Sequence, residues 1–147
     1  MIRDFAEGDL HALLDLWQEA WQVTLPAIDF AARRPGFGER LIGFVAAGVR
    51  LRVACGADGA PLGFYTLDSD GYLDQVAVAR AHWGLGVAAA LIGDAKALAP
   101  QGLVLRVNQA NGRAIAFYER QGFVRGAAEI SPVSGLPLWS YRWSGAL

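Results

Sequence analysis

Apolar residues near the start of the chain recur at intervals of three and four, as they do on one face of a helix. This face carries the large side chains of Leu10, Leu13, Leu14, Trp17 and Trp21. The pattern predicts an amphipathic helix with Asp9 as its N-cap, after a short strand over residues 2–5. A second stripe predicts a helix over about residues 37–47. Prolines between the two predict a connection over residues 24–35.

From residue 49 the pattern changes to the period of two that is typical of strands. Val49, Leu51 and Val53 alternate with Arg50 and Arg52, which predicts a half-exposed strand over residues 49–55. A turn over residues 57–60 leads into a returning strand over residues 62–67. The same criteria predict further strands over residues 72–78, 103–107, 123–129 and 138–143, and helices that follow Gly86 and span residues 111–121.

The predicted elements follow one another in the order β-α-α-β-β-β-α-β-α-β-β. Consecutive strands that give way to strand–helix alternation predict an α/β fold, with a mixed (α+β) sheet and helices on its faces. The strand at Val76 and the strand at Leu103 are joined through a helix, so they should be parallel neighbours.

Length and composition exclude several classes of protein. The 147 residues are 54% hydrophobic and 18% charged, which predicts a single folded domain over residues 1–147. The net charge of −1 provides no general attraction to nucleic acid or to an anionic membrane, so neither is expected as a partner. A single cysteine, no signal-like start and no membrane-length apolar run favour a cytoplasmic protein. His11, His82 and Cys55 have no metal-ligand spacing, so no metal site is expected.

Glycines separate the strand at Val76 from the helix that follows it, in the order Gly84-Leu85-Gly86. The free N–H groups of a helix start bind anions, and residues without side chains let a phosphate approach the backbone. The glycines also fit a purely steric helix start, and both interpretations remain open on this motif alone. A dinucleotide site of the pattern G-x-G-x-x-A is disfavoured, since the glycines lie well beyond Val78 and Asn108 replaces the expected acidic residue.

A second motif follows in the order expected of one family. Residues 105–108 read LRVN, and residues 111–123 read NGRAIAFYERQGF. With the glycine segment, they closely resemble the GNAT superfamily of N-acetyltransferases, whose pattern is a strand ending in V-N and then N-x-x-A-x-x-F-Y-E-x-x-G-F. The resemblance covers about residues 63–123 and implies the GNAT fold, acetyl-CoA as the donor and transfer of an acetyl group to an amine.

The resemblance also implies roles for individual residues. The strand over residues 76–78 would bind the pantetheine arm of acetyl-CoA, and the glycine segment would bind its pyrophosphate. Asn111 would contact the cofactor near the pantetheine. Tyr118 would protonate the departing thiolate, and the N–H near Val76 would polarise the thioester carbonyl. The implied cofactor-binding set is Val76, Ala77, Val78, Trp83, Gly84, Leu85, Gly86, Val87, Ala88, Asn111 and Tyr118.

Two of these residues have simpler interpretations. Asn111 is a suitable helix N-cap, and Tyr118 could pack on Phe123 at the helix end, where Gly122 predicts a Schellman ending. The chain also departs from the family at Ala81, where Gln or Arg is usual, and at Trp83, where Arg or Lys is frequent. The phosphates would then depend on the backbone, with Arg80, His82 and Arg113 as additional candidates.

The sequence says less about which residue is the general base and what the acceptor is. Asp74 on the central strand is the first candidate base, followed by His82, Glu129 and Asp29. In such folds the acceptor lies between the first two helices and the last hairpin, which nominates Trp21, Phe30 and Arg33. Their chemistry fits either an apolar or a charged acceptor, of small-molecule or peptide type. A non-catalytic acyl-CoA-binding module, a macromolecular acceptor and a homodimer remain as alternatives.

Overall fold

A computed structural model describes residues 1–145 as one mixed sheet covered by helices on both faces. The strands are β1 (Ile2–Asp4), β2 (Arg50–Cys55), β3 (Pro61–Leu67), β4 (Tyr72–Val78), β5 (Gly102–Asn108), β6 (Val124–Ile130) and β7 (Pro137–Ser144). The helices are α1 (Leu10–Thr24), α2 (Phe30–Ala46), α3 (Val87–Leu98) and α4 (Gly112–Arg120). Strands and helices follow in the order that the sequence pattern predicts, so the α/β fold class is confirmed.

The seven strands lie in the order β1-β2-β3-β4-β5-β7-β6. Neighbouring strands are antiparallel except β4 and β5, which are parallel as the crossover through α3 predicts. These two strands pair only at their starts, where Tyr72 lies opposite Val104 and Leu73 opposite Leu105. The rest of β4 therefore has a partner only on its β3 side, and a gap opens in the middle of the sheet.

Strand alternation divides the apolar side chains between two cores. Phe64 on β3 belongs to the core beneath α1 and α2, together with Leu13, Trp17 and Leu41. The next residue, Tyr65, belongs to the core beneath α3, which also contains the buried residues Leu91, Ile92, Leu103, Leu105 and Tyr141. The layer of α1 and α2 and the layer of α3 are therefore each packed on the sheet that contains the gap.

The predicted connection over residues 24–35 is wrong in its second half, because α2 begins at Phe30 and contains Pro35. The Asp29 carboxylate caps this helix by accepting the N–H of Ala32 at 3.1 Å. Phe30 and Phe37, which lie on either side of the proline, are 5% and 6% exposed. A proline within a helix removes one backbone hydrogen bond. Burial of the two rings, each worth about 1.5–3 kcal/mol, offsets that loss.

Asp9 immediately precedes α1, but it does not cap the helix as predicted. Its carboxylate instead accepts two hydrogen bonds from the Arg3 guanidinium, at 2.7 and 2.8 Å. It also accepts the main-chain N–H of Ala6 at 2.8 Å. A charged partner on β1 competes successfully with the helix start, because charge-assisted hydrogen bonds are stronger than neutral ones.

Candidate active site

The half of β4 beyond Leu73 presents main-chain groups to the gap in the sheet. Ala79 donates its N–H to Leu62 O on the β3 side at 2.8 Å, and Ala77 lies opposite Phe64 in the same register. Antiparallel strands bond through alternate residues, so Val76 and Val78 direct their N–H and C=O groups away from β3. The resulting edge can bind an extended ligand as though it were another strand.

An extra residue in β4 produces this orientation. Tyr65 lies opposite Val76 but Leu67 lies opposite Leu73, so Asp74 and Gln75 together face Thr66. Before this bulge the even-numbered residues of β4 bond to β3, as Tyr72 does by accepting the N–H of Asp68 at 3.1 Å. Beyond it the odd-numbered residues do so. The bulge therefore turns the main chain of Val76 from β3 toward the gap.

Two cavities meet beside this strand. One has a volume of about 390 Å³ and lies against the glycine segment and α4. The other has a volume of about 920 Å³ and lies between α1, α2 and the loop that joins β6 to β7. Five residues line both cavities, namely Trp21, Val76, Asn111, Ala114 and Tyr118. Ligands in the two cavities would meet at this junction.

Tyr118 at this junction fits both interpretations drawn from the sequence, a packing residue at the helix end and a proton donor. The Schellman ending is present, since Phe123 N–H bonds to Tyr118 O at 3.0 Å and Gly122 N–H to Glu119 O at 3.1 Å. The Tyr118 and Phe123 rings pack edge to face at 5.6 Å. Burial raises the pKa of the Tyr118 hydroxyl above its usual value. The group is therefore a neutral phenol at neutral pH and can donate its proton to a ligand.

Asn111 likewise caps α4 while it borders both cavities. Its Oδ1 accepts the N–H of Ala114 at 3.2 Å, which confirms the predicted N-cap. The side-chain N–H groups of Asn111 are not used by this cap. They are therefore available to a ligand at the junction, so the structural and cofactor-binding interpretations are compatible.

The glycine segment leaves space for a ligand beside the start of α3. Gly84 and Gly86 have φ values of +78° and +89°, and a Cβ atom at either position would meet nothing within 4 Å. Gly86 precedes the first helical residue, so the N–H groups of Val87 and Ala88 have no acceptor within the helix. The N–H of Leu85 donates to His82 O at 3.3 Å, and the Leu85 side chain is 70% exposed.

The other cofactor-binding candidates lie along the smaller cavity. Its lining includes Ala77, Val78 and Trp83 besides the two glycines. The Trp83 indole N–H donates to Val78 O at 2.8 Å, which fixes the segment to the end of β4. His82 and Arg113 line the same cavity. A cavity with open backbone N–H groups and an arginine side chain fits the pyrophosphate and pantetheine of CoA.

Two of the four candidate bases accept hydrogen bonds from arginines. Asp74 lines the larger cavity and accepts a hydrogen bond from Arg40 Nη2 at 2.7 Å. Glu129 also lines it and accepts one from Arg106 Nε at 2.9 Å. His82 lies at the smaller cavity instead, and Asp29 lines neither. Gln75 Nε2 also donates to Asp74 Oδ2 at 3.2 Å. Neither Arg40 nor Gln75 was nominated from the sequence, because no local motif marks either residue.

All three residues nominated for the acceptor line the larger cavity, where the structure brings together Trp21, Phe30 and Arg33. Phe30 packs at 5.5 Å from Trp17 and 6.0 Å from Trp21, so part of this wall is also hydrophobic core. Arg33 is exposed at the cavity rim, and its guanidinium lies 5.9 Å from the Phe30 ring centroid. An aromatic wall with a cation at its rim is compatible with both predicted acceptor classes.

Residues 1–145 contain neither a membrane-spanning helix nor a metal-binding cluster. No helix there has the length and apolar character needed to cross a membrane. The same residues contain no cluster of three or more His, Cys, Asp or Glu side chains that could hold a metal ion.

Solved structures with the same fold were found by comparison. The apo form of YjaB from Escherichia coli has a TM-score of 0.81 and 24% identity, over 99% of this chain and 98% of that chain. The PaiA N-acetyltransferase from Thermoplasma acidophilum, in complex with coenzyme A, has a TM-score of 0.79 and 18% identity over 98% of each chain. Ribosomal-protein-alanine N-acetyltransferase from Brucella melitensis has a TM-score of 0.70 and 23% identity, over 98% and 99% of the chains. Such identities show a shared fold. No curated protein sequence matches the chain significantly.

Membership of a family rests on the sequence itself. The profile of the Acetyltransferase (GNAT) family matches residues 4–123, which include the bulged strand, the glycine segment and Tyr118. The matched region therefore contains all five residues that line both cavities, together with both sequence motifs. The chain belongs to the GNAT family of acetyltransferases, as its motifs predicted, and acetyl-CoA is the acetyl donor that this membership supports.

Proposed function

We propose that the protein transfers an acetyl group from acetyl-CoA to an amine of a small molecule or peptide by direct attack on the thioester. The observation that carries this proposal is the junction of the two cavities at Val76, Asn111 and Tyr118. The smaller cavity holds the donor and the larger one the acceptor. Acetyl-CoA supplies the activated carbonyl carbon to which the amine nitrogen adds.

The residues at the junction have separate tasks in this reaction. The N–H of Val76, which the bulge turns toward the gap, donates to the carbonyl oxygen and stabilises the negative charge that develops there. The C–N bond forms and the C–S bond breaks. Tyr118 then donates its phenolic proton to the thiolate, and the proton released by the newly acylated nitrogen returns, directly or through water, to the Tyr118 oxygen. Burial supports this role of Tyr118, because it raises the pKa and keeps the proton on the hydroxyl.

The ammonium group of the acceptor must lose a proton before it attacks. We assign this step to Asp74, directly or through water, because it lies on β4 itself and is the more enclosed of the two cavity carboxylates. Its side chain is 17% exposed, compared with 35% for Glu129. The Arg40 guanidinium fixes the orientation of Asp74 through its 2.7 Å hydrogen bond.

The decisive experiment is a screen of amines, amino acids and peptides with acetyl-CoA, in which release of free CoA thiol is measured. Turnover with one class identifies the acceptor, and turnover only with proteins or RNA would indicate a macromolecular acceptor. Binding of acetyl-CoA without turnover in any class would contradict the proposed reaction and indicate a non-catalytic acyl-CoA-binding module. A calorimetric titration with acetyl-CoA separates that outcome from a failure to bind the donor.

A further inference from the structure

The wall of the larger cavity contains more arginine than carboxylate side chains. Its charged lining residues are Arg33, Arg40, Asp74, Arg106 and Glu129. The Arg40 guanidinium bonds to Asp74 at 2.7 Å, and the Arg106 guanidinium bonds to Glu129 at 2.9 Å. These two pairs balance their own charges, so the lining keeps one uncompensated positive charge, on Arg33.

Arg33 differs in this respect from the other two arginines of α2. Arg34 lies 2.7 Å from the Asp15 carboxylate, and Arg40 lies 2.7 Å from that of Asp74. Among residues 1–145, no carboxylate lies within 4.0 Å of the Arg33 guanidinium. Asp29, one helical turn earlier, instead accepts the main-chain N–H of Ala32 at 3.1 Å. The described part of the chain therefore offers Arg33 no anion of its own.

An aromatic surface connects Arg33 to the junction of the two cavities. The guanidinium carbon of Arg33 lies 5.9 Å from the Phe30 ring centroid. The Phe30 ring lies 6.0 Å from that of Trp21, which lines both cavities. Leu25 and Ile28 add further apolar surface to the larger cavity. A ligand with its amine at the junction can therefore lie along this apolar wall and present its other end to Arg33.

We propose that the acceptor is an amine whose far end carries a carboxylate, and that Arg33 binds this carboxylate. The inference rests on the proposed transfer to an amine and adds the class of acceptor. A guanidinium binds a carboxylate through two parallel N–H···O hydrogen bonds, and its planar group can do so beside an aromatic ring. An apolar spacer between the amine and the carboxylate fits the rings of Phe30 and Trp21. A second ammonium group at the far end would instead be repelled by Arg33.

The test compares amino carboxylates with their uncharged amides as acceptors. The series extends from glycine to 6-aminohexanoate and includes 4-(aminomethyl)benzoate, and release of CoA thiol from acetyl-CoA gives kcat and KM for each compound. The proteins are the wild type, Arg33→Gln and a matched control, Arg142→Gln. Arg142 is an exposed arginine on β7 and lines neither cavity.

The quantity compared between proteins is the ratio of kcat/KM for an acid to that for its amide. This comparison cancels the difference in amine basicity between the two compounds. The ratio should fall about 5-fold in Arg33→Gln, the order expected for an ion pair at an exposed rim, and should not change in Arg142→Gln. The loss should appear in KM for the acids, with kcat and the KM for acetyl-CoA unchanged, because Arg33 binds the acceptor and takes no part in the chemical step.

Charge reversal gives a second measurement, since Arg33→Glu should favour the amide of each pair over the acid. An acid-to-amide ratio in Arg33→Gln equal to that of the wild type would overturn the carboxylate site and leave the proposed acetyl transfer intact. Turnover by the wild type of other amines, but of none of the carboxylates, would overturn it as well. Turnover of no amine at all, with acetyl-CoA still bound, would contradict the proposed transfer itself.

Discussion

The main-chain N–H of Gln75 donates to the side-chain hydroxyl of Thr66 at 3.0 Å, inside the bulge of β4. Thr66 is completely buried, so its hydroxyl replaces the carbonyl partner that a regular ladder would provide to this N–H. The bulge in turn directs Val76 toward the gap in the sheet. A single buried hydroxyl on β3 thus supports the strand edge at which the donor is proposed to bind.

Thr66→Val should destabilise the protein by about 1–3 kcal/mol, because it leaves the part-buried N–H of Gln75 without an acceptor. Affinity for CoA should fall as well, since the bulge loses its support. Urea denaturation and calorimetric titration measure the two effects. Thr66→Ser keeps the hydroxyl and is the control, with CoA affinity expected to stay near the wild-type value. Equal CoA affinity in Thr66→Val and the wild type would show that the bulge persists without this bond.

Tyr118→Phe should lower kcat by about 10²–10⁴-fold, the usual contribution of a general acid, while CoA affinity stays nearly unchanged. The phenyl ring keeps the packing on Phe123, so the helix end is preserved. Single-turnover kinetics with an acceptor found in the screen, together with a CoA titration, separate the chemical step from binding. Undiminished turnover in this variant would leave Tyr118 as a packing residue only.

Gly86→Asp should reduce CoA affinity about 100-fold or more, because it adds a carboxylate where the pyrophosphate is proposed to bind, and opposed like charges cost several kcal/mol. Backbone strain must be separated from charge, since Gly86 has a φ of +89°. Gly48→Asp is the matched control: Gly48 has a φ of +87°, equally open surroundings and no place in either cavity. CoA affinity measured by titration should fall only in the first variant, and an equal fall in both would exclude a phosphate site at Gly86.

Folding stability should depend on Asp9 at acidic pH. The Arg3 hydrogen bonds lower the pKa of the Asp9 carboxyl in the folded state, and burial opposes this effect without reversing it. The folded protein therefore favours the ionised form more than the unfolded chain does. The resulting stabilisation is complete above the unfolded pKa of about 3.9 and is lost as pH falls through the lower folded value.

The measurement is urea denaturation of the wild type and Asp9→Asn from pH 2 to pH 7. The difference between their free energies of unfolding should be constant near neutral pH and should shrink below about pH 4. Asp29→Asn serves as the control, because Asp29 is an exposed helix cap without a cationic partner among the described contacts. A difference for Asp9→Asn that is independent of pH would remove the proposed charge effect.

Local patterns in the sequence predicted the order of the helices and strands, the parallel pair and the caps at Asn111 and Gly122. These features depend on residues a few positions apart, whose spacing decides which face of a helix or strand they occupy. The glycine segment and the α4 motif also indicated the family from sequence alone. The helix start at Phe30 was missed because the proline signal was stronger locally than the burial of Phe30 and Phe37, which requires the folded core.

The tertiary structure decided which of the nominated side chains are hydrogen-bonded to other residues and which lie close to each other. Arg40 and Asp74 are separated by 34 positions, and no spacing rule relates them, yet they form a 2.7 Å hydrogen bond beside the larger cavity. The stacking of Arg113 on Trp83 and the hydrogen bond from the Gln75 N–H to Thr66 likewise join residues of different elements. Such contacts arise only when the sheet brings distant segments together, because the interaction energy depends on distance in space, while the entropic cost of closing the intervening loop grows only slowly with its length.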